Sequence, residues 1–288
     1  MRVLVLGGGG QVATAVAAAA PSRHRVAARS RAELDISDAS AVARALEETG
    51  AEWMVNAAAY TAVDLAEDQP AQAIAVNDTA VRVLAAAASA AGCRLLHLST
   101  DFVFDGRSNR AYLPADPTNP LSVYGVSKLA GERHVLNGGD GGIVLRTAWV
   151  YAGAGRNFVL TMLRLMREKE QVNVVCDQIG TPTWACGIAG AIWGLIDAGA
   201  SGGIYHWTDL GVASWYDFAV AIQDEALARG LLRRAIPVTP IASAAYPTRA
   251  LRPAFSVLDT TATRALIGAP ARHWRHNLRT MLDDIRTP

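Results

Sequence analysis

The sequence is poor in lysine and cysteine and has almost no excess charge. It holds 27 basic and 26 acidic residues, for a formal net charge of +1, and its only lysines are Lys128 and Lys169. This balance excludes the basic surface of a nucleic-acid-binding protein and a polybasic membrane patch. Cys93, Cys176 and Cys186 are too few and too scattered for a disulfide framework or a zinc site, and are typical of reduced cytoplasmic thiols.

Long apolar runs are also missing. Ala185–Ile196 is too short to span a bilayer, so we expect no contact with a membrane. The apolar N-terminal run superficially resembles a signal peptide, but four glycines, Gly7–Gly10, interrupt it, which favours a cytoplasmic protein. With 51% hydrophobic and 18% charged residues, the 288-residue chain can bury a large core and is not disordered.

Strands and helices alternate in the first half of the chain, which predicts an α/β fold. The predicted strands are Arg2–Leu6, Arg25–Ala28, Trp53–Asn56, Arg94–Ser99 and Ile143–Ala148. The predicted helices are Val12–Ala20, Ala39–Glu48 (capped by Ser37), Pro70–Ala91 and Ser122–Leu136. This order is typical of a doubly wound parallel sheet of the Rossmann type, which we assign to residues 1–150.

Beyond Tyr151 the pattern becomes less regular and richer in proline and tryptophan. Residues 151–288 are therefore predicted to form mainly a smaller, less regular substrate-binding lobe, with some segments packing back on the first domain. Helices are expected at Asn157–Lys169, Cys186–Asp197, Trp215–Ala228 and Arg275–Ile285, and short strands at Gln171–Val175 and Ile204–Trp207.

A glycine-rich turn follows the first predicted strand. Gly7, Gly10 and Ala13 fit the spacing G-x-x-G-x-x-[GA], with Gln11 and Val12 between them. Glycine lets the backbone approach a pyrophosphate, and a helix N-terminus offers N–H groups and partial positive charge to it. The position of the turn, between strand and helix, predicts dinucleotide binding.

The end of the second strand bears on which dinucleotide is bound. It lacks the carboxylate that favours NAD and carries Arg29 and Arg31, which could pair with a 2′-phosphate. NADPH is therefore the expected cofactor; NADH stays open, because the two arginines could simply be solvated. Asp35 and Ile36, in the loop that follows, could approach the adenine. Asn56, Ala57 and Ala58 end the third strand with small residues that permit close approach of the same cofactor.

Tyr124 and Lys128 lie four residues apart, on one face of a predicted helix. A buried ammonium group beside a phenol would stabilise the phenolate and lower its pKa, which makes Tyr124 a candidate proton donor. Lys128 could also hold the ribose of a nicotinamide nucleotide. Thr100 follows the fourth strand, where its hydroxyl could bind a substrate carbonyl. Together they predict hydride transfer between a nicotinamide and a carbonyl or alcohol.

These residues resemble the extended short-chain dehydrogenase/reductase family and, within it, the dTDP-4-dehydrorhamnose reductases. Matching segments run along nearly the whole chain, and two of them are narrow in distribution. These are Asn56–Asp64 (NAAAYTAVD) and Asp177–Thr183 (DQIGTPT). Gly7–Ala13 and Pro120–Lys128 are shared across a broad superfamily, and further matching segments are Ser99–Gly106 and Arg146–Tyr151.

The resemblance implies roles for individual residues. Thr100, Tyr124 and Lys128 would be the catalytic triad. The cofactor would be lined by Gly7, Gly10, Gln11, Val12, Asp35, Asn56, Ala57, Ala58, Lys128 and Thr147. The sugar nucleotide would be lined by Thr61, Val63, Thr100, Trp149, Asn157 and Arg252. The implied reaction reduces the 4-keto group of dTDP-6-deoxy-L-lyxo-4-hexulose to give dTDP-L-rhamnose, with Tyr124 delivering the proton.

The chain departs from the family pattern in two places. Some members form a Mg²⁺-bridged dimer through acidic residues, where this chain has Ala15 and the apolar Cys186–Ile196. No metal site is therefore expected, and the chain could be a monomer or a homodimer. Phe102 stands where tyrosine is usual.

Two other functions remain open. The protein could reduce another dTDP-4-keto-6-deoxysugar with the same catalytic residues. It could also bind the cofactor without catalysis, because the family resembles the regulatory subunit of methionine adenosyltransferase. The expected partner in the first two cases is a dTDP-4-keto-6-deoxysugar, and no nucleic acid is expected.

Overall fold

A six-stranded parallel sheet forms the centre of the protein in a computed structural model. The structure describes residues 1–139, 141–270 and 272–285. The sheet strands are β1 Arg2–Gly8, β2 Arg25–Ser30, β3 Trp53–Asn56, β4 Arg94–Thr100, β5 Ile143–Thr147 and β10 Gly203–His206. The short strands outside it are β6 Val150–Tyr151, β7 Val172–Val175, β8 Ile179–Gly180, β9 Thr183–Trp184, β11 Ala213–Ser214 and β12 Val238–Ile241.

Helices connect these strands along the chain. They are α1 Gln11–Ala18, α2 Ala39–Thr49, α3 Val63–Asp68, α4 Pro70–Ile74, α5 Ala80–Ala90, α6 Val123–Asn137, α7 Phe158–Glu168, α8 Ala185–Asp197, α9 Trp215–Ala228, α10 Thr261–Ile267 and α11 Trp274–Asp284. The strand order is β10-β5-β4-β3-β1-β2, with every neighbouring pair parallel. Apolar clusters cover both faces of the sheet, as parallel sheets require. The predicted fold class is confirmed.

The second half of the chain contributes directly to this sheet. The predicted short strand near residue 204 is β10, which pairs with β5 at the sheet edge. Helix α8, a nearly continuous apolar run, packs against α1 on one face, where Ile188, Ile192 and Trp193 join the core cluster. Ala15 of α1 borders the same cluster. The division at residue 150 remains a prediction, and the sheet itself draws on both sides of it.

A separate apolar cluster holds the distal lobe together. It is built from α7, α9 and α11, with Leu163, Phe218 and Leu278 at its centre. The β7–β12 pair packs against α9. This part of the chain therefore has an apolar core of its own, separate from the two clusters that cover the sheet.

Two local details differ from the sequence predictions. Asp38, not Ser37, caps α2, because its carboxylate accepts the Ser40 and Ala41 amides. The predicted helix 70–91 is continuous over Pro70–Ala90 but contains a π-helical turn, Ala75–Thr79.

The helix Pro70–Ala90 also corrects the expectation that no segment could span a bilayer. By length and composition alone it is long and apolar enough, with a mean hydropathy of 1.2. In the fold, Val81, Leu84 and Ala88 of this helix are buried in the cluster on the second face of the sheet.

Candidate active site

The predicted dinucleotide turn lies between β1 and α1. Gly7 has a φ of +88°, and a Cβ there would come within 2.7 Å of the Ala58 nitrogen, so glycine is required on both counts. Gly10 is the N-cap of α1, and no side chain caps it. The amides of the first turn of α1 are therefore available to a phosphate. The turn and the predicted Ala57–Ala58 segment are thus in direct contact.

Arg29 lies near the end of the neighbouring strand β2, and Asp35 lies in the loop that follows this strand. Arg29 pairs with Leu6 in the β1–β2 register, one residue before the turn, and is partly buried. Asp35 is exposed, and its carboxylate accepts the Ser37 amide and hydroxyl, which lower its pKa. Ile36 borders the core cluster beneath it. Arg29 is therefore close to the turn, and the roles of Arg29, Asp35 and Ile36 toward a cofactor stay predictions.

Thr100 ends β4 and begins a tight turn. Its hydroxyl accepts a hydrogen bond from the Phe102 amide (3.2 Å) and donates one to Asp101 (3.1 Å). Burial raises the pKa of Asp101 to about 6. Thr147 pairs with Thr100 in the β4–β5 register. Among the described residues, the buried Thr147 hydroxyl has no hydrogen-bond partner, which fits the predicted contact with a ligand.

Tyr124 lies in the first turn of α6, against the Thr100 turn. A Cβ at Gly125 would collide with the Phe102 carbonyl oxygen, so only glycine allows α6 to approach this closely. The Phe102 ring meets Tyr124 edge to face, with centroids 5.5 Å apart. Burial raises the pKa of Tyr124 to about 12, and the Asp101 charge adds to this, while the Thr100 hydroxyl opposes it. The pKa of Tyr124 is therefore raised and not lowered as the sequence predicted, because burial dominates it.

Lys128 is buried one turn further along α6. Its Nζ donates to the Leu98 carbonyl oxygen at 2.6 Å and lies 3.1 Å from His97 Nε2. Burial lowers the pKa of Lys128 to about 8, and Glu132 opposes this. His97 Nδ1 is 2.9 Å from Asn56 Nδ2, and the Asn56 carbonyl oxygen accepts the Ala58 amide at 3.0 Å. A buried polar chain thus joins Lys128 to the segment that touches Gly7.

The predicted sugar-nucleotide residues fall into two groups. Val63 begins α3 and packs in one cluster with Tyr124, while Thr61 is exposed just before it. Arg252 forms a bidentate ion pair with Asp64 of α3, at 2.6 and 3.0 Å. This ion pair holds the segment around Arg252, from the second half of the chain, against helix α3.

Trp149 belongs to the second group, and its backbone is unusual. It has a φ of +48°, the only positive value among the described non-glycine residues. Its indole stacks on Trp215 with centroids 3.5 Å apart. Strained backbones of this kind cluster at functional sites. Trp149 is thus fixed as an aromatic platform that is only partly buried.

Asn157 links the two lobes. Its side chain caps α7 by accepting the Leu160 amide, and its Nδ2 donates to the Gln11 side chain at 2.9 Å. Gln11 also donates to the Arg156 carbonyl oxygen. Val12 borders the α1–α8 cluster. Asn157 therefore supports the dinucleotide turn, and its predicted contact with a sugar stays untested.

Comparison with known proteins decides the family. The family model described as the RmlD substrate binding domain matches residues 1–287. The chain belongs to this family. It is 41% identical to the dTDP-4-dehydrorhamnose reductase of Burkholderia thailandensis, covering 99% of each chain, and 38% identical to that of Escherichia coli, covering 88% of this chain and 86% of the relative. The predicted family is confirmed.

Solved structures agree with the sequence relatives. The dTDP-4-dehydrorhamnose reductase of Bacillus anthracis, solved in complex with NADP, superposes with a TM-score of 0.92 at 30% identity, covering 98% of this chain and 99% of that one. The UDP-glucose 4-epimerase of Thermus thermophilus has a TM-score of 0.84 at 20% identity, covering 99% of each chain, and shares the fold.

Several residues around the candidate site escaped the sequence analysis. They are His97 beside Lys128, Asp64 beside Arg252, Trp215 beneath Trp149, and Asp101 beside Thr100. For His97 a signal existed: it is a polar residue inside an otherwise apolar strand. Among the residues that the structure describes, no group of three His, Cys, Asp or Glu could hold a metal ion.

Proposed function

We propose that this protein reduces the 4-keto group of dTDP-6-deoxy-L-lyxo-4-hexulose with NADPH to give dTDP-L-rhamnose. The observation that carries the proposal is the meeting of Thr100, Tyr124 and Lys128 at the carboxyl end of β4, beside the Gly7 turn at the carboxyl end of β1. Ligands of doubly wound sheets bind at this edge. The names of the relatives supply the substrate class, and the NADP complex of the Bacillus anthracis enzyme supports the cofactor.

The residues of the cofactor site fit a dinucleotide. Gly7 lets the turn pack directly on the Ala57–Ala58 backbone, and the first turn of α1 presents amides that no side chain caps. The buried Thr147 hydroxyl has no hydrogen-bond partner among the described residues and could bind a ligand. Arg29 at the end of β2 would pair with a 2′-phosphate, which favours NADPH over NADH. When bound, the nicotinamide supplies the hydride.

The chain's own residues provide the proton and hold the ketone. Thr100 and Tyr124 donate hydrogen bonds to the 4-keto oxygen and thereby polarise it. With a pKa raised to about 12, Tyr124 is protonated at neutral pH and ready to donate. As negative charge develops on the oxygen, Tyr124 transfers its proton, and the positive charge of Lys128 opposes the cost of the resulting phenolate.

The sugar nucleotide would lie between α3 and the distal lobe. Trp149 offers an apolar face on which a sugar ring can pack, and Arg252 offers a cation to the diphosphate. The distal lobe would shield the site from water, which strengthens the polar interactions inside it.

Product analysis tests this proposal against its two alternatives. Purified protein, NADPH and enzymatically prepared dTDP-6-deoxy-L-lyxo-4-hexulose are incubated, and the product is identified by NMR. Formation of dTDP-L-rhamnose supports the proposal. Turnover only with other dTDP-4-keto-6-deoxysugars would identify a different reductase, and NADPH binding without any turnover would indicate a regulatory subunit.

A further inference from the structure

Helix α3 is short and carries three acids, two of which form ion pairs. It has only six residues, and no side chain caps its N-terminus. Asp64 pairs with Arg252, and Asp68 pairs with Arg249. Fewer than two turns do not make a stable helix alone, so α3 depends on contacts with the rest of the chain. The two ion pairs supply such contacts from one segment near residue 250.

Glu67, the third acid of α3, has a different partner. Its Oε1 accepts a hydrogen bond from the backbone amide of Val123 at 2.9 Å. In the part of the chain that the structure describes, this is the only bond of the Glu67 carboxylate, and it pairs with no arginine there. Val123 is the first residue of α6, and the first amides of a helix have no partner within that helix. Glu67 therefore caps α6 from outside.

The capped turn of α6 carries Tyr124 as its next residue. The N-cap residue Ser122 accepts the Gly125 amide at 3.2 Å, two residues beyond the amide that Glu67 accepts. One bond from Glu67 and one from Ser122 thus hold the backbone on either side of Tyr124. The direction of the phenol therefore depends on both bonds.

Helix α3 also packs on the phenol ring. The fully buried Ala66 of α3 and the partly buried Val63 lie in one apolar cluster with Tyr124. Ala66 immediately precedes Glu67, so the bond from Glu67 to α6 keeps these side chains against the ring. We propose that Glu67 is a positioning residue, which holds Tyr124 in place at the carboxyl end of β4 by capping α6 and seating α3 on the ring.

This inference rests on the proposed reduction, in which Tyr124 delivers the proton. Proton transfer requires the donor oxygen within hydrogen-bond reach of the acceptor, and a displacement of about 1 Å can cost about a hundredfold in rate. Without its cap, the first turn of α6 can fray and the phenol can move. The Gly7 turn, which is proposed to hold the cofactor, belongs to β1 and α1, so the affinity for NADPH should be retained.

Four variants separate the cap from the charge of Glu67. Glu67→Gln keeps the length and an acceptor oxygen, so kcat should stay within about threefold of wild type. Glu67→Asp keeps the charge but withdraws the acceptor by one bond length, and Glu67→Ala removes it. Both should lower kcat by about tenfold to a hundredfold, with Kd for NADPH within about twofold of wild type. Asp68→Asn is the matched control, because it removes an acid of the same helix but no cap, and kcat should not change. If Glu67→Asp keeps kcat and Glu67→Gln loses it, charge matters and the inference is wrong.

The position of the phenol can be measured without any activity. Protein with carbon-13 in its tyrosine rings is studied by NMR, and the Tyr124 signal is identified by its absence in Tyr124→Phe. We expect this signal to shift in Glu67→Asp and Glu67→Ala and to match wild type in Glu67→Gln and Asp68→Asn. The signals of Tyr205 on β10 and Tyr216 on α9 should stay in place in every variant, which excludes a general loss of structure.

Glu67→Asp decides the inference even if Glu67→Ala does not fold. A folded Glu67→Asp protein with an unmoved Tyr124 signal, or with the kcat of wild type, overturns it. If wild type does not turn over the keto sugar, the proposed function fails, and the spectra still decide whether Glu67 positions Tyr124.

Discussion

Trp149 stacks face to face on Trp215, with ring centroids 3.5 Å and planes 4° apart. Trp149 follows the sheet strand β5, and Trp215 begins α9, whose Phe218 lies in the distal apolar cluster. Trp149 holds this position despite a φ of +48°. The stack therefore ties the orientation of a sheet-edge aromatic ring to the packing of the second lobe.

Replacing Trp215 tests whether this platform binds the sugar nucleotide. Trp215→Ala removes the ring beneath Trp149, and a stacked pair contributes about 1 kcal/mol beyond its buried area. We expect KM for the keto sugar to rise by about tenfold while Kd for NADPH stays within about twofold of wild type. Steady-state kinetics and NADPH fluorescence titration give the two numbers. An unchanged KM would show that Trp149 is only a packing residue.

The Asp64–Arg252 ion pair predicts that replacing Arg252 raises KM for the keto sugar, whereas replacing Asp64 does not. If Arg252 binds the diphosphate, Arg252→Ala should raise KM by about tenfold to a hundredfold, because a charge-assisted contact is lost. Asp64→Asn releases Arg252 from its competing carboxylate, so KM should fall or stay the same. Stability should change little in Asp64→Asn, since a partly exposed pair contributes at most about 1 kcal/mol. A rise of KM in both variants would contradict a direct role of Arg252.

The buried pair Arg146–Glu132 is expected to dominate local stability. Its side chains are 2% and 1% exposed, and the Ser99 hydroxyl donates to the same carboxylate at 2.5 Å. Glu132→Gln leaves the Arg146 charge buried without a counter-ion, so unfolding free energy should fall by about 3–5 kcal/mol. Urea denaturation measures this. The control is Glu168→Gln in the exposed pair with Arg164, which should cost less than about 0.5 kcal/mol.

Asp209 predicts a pH dependence of stability away from the site. Burial raises its pKa from 3.8 to about 6. A carboxyl whose pKa is raised by folding favours the folded state while protonated, and that contribution is lost as pH rises from about 4 to above 6. As pH rises over this interval, the unfolding free energy of wild type should fall by about 3 kcal/mol relative to that of Asp209→Asn. Urea denaturation at several pH values checks the difference, and parallel curves would disprove the burial argument.

The parts of the site that could be predicted from the sequence are motifs whose residues lie only a few positions apart in the chain. Gly7–Ala13 and Tyr124–Lys128 each lie within one turn or one helix face, so local geometry fixes what they can do. The alternation of strands and helices likewise predicted the sheet. Where tertiary packing decides, the prediction failed: burial raises the pKa of Tyr124, for which the local spacing predicted a lowered value.

The missing parts depend on residues far apart in the chain. The His97 side chain on β4 contacts the Asn56 side chain on the neighbouring strand β3. Asp64 forms its ion pair with Arg252, which is far away in the sequence. The strand near residue 204 was predicted, but its place at the edge of the main sheet was not, because strand order is set by which apolar faces pack together. No local pattern contains that information.

The Tyr124→Phe variant tests the central claim most directly. Phenylalanine keeps the ring that packs against Phe102 but removes the proton, and a general acid contributes about a hundredfold to ten-thousandfold in rate. NADPH oxidation is followed by absorbance with dTDP-6-deoxy-L-lyxo-4-hexulose, and NADPH binding is measured in parallel. The account predicts rapid oxidation in wild type and a loss of that size in Tyr124→Phe, with NADPH affinity retained. Equal rates in the two proteins would contradict it.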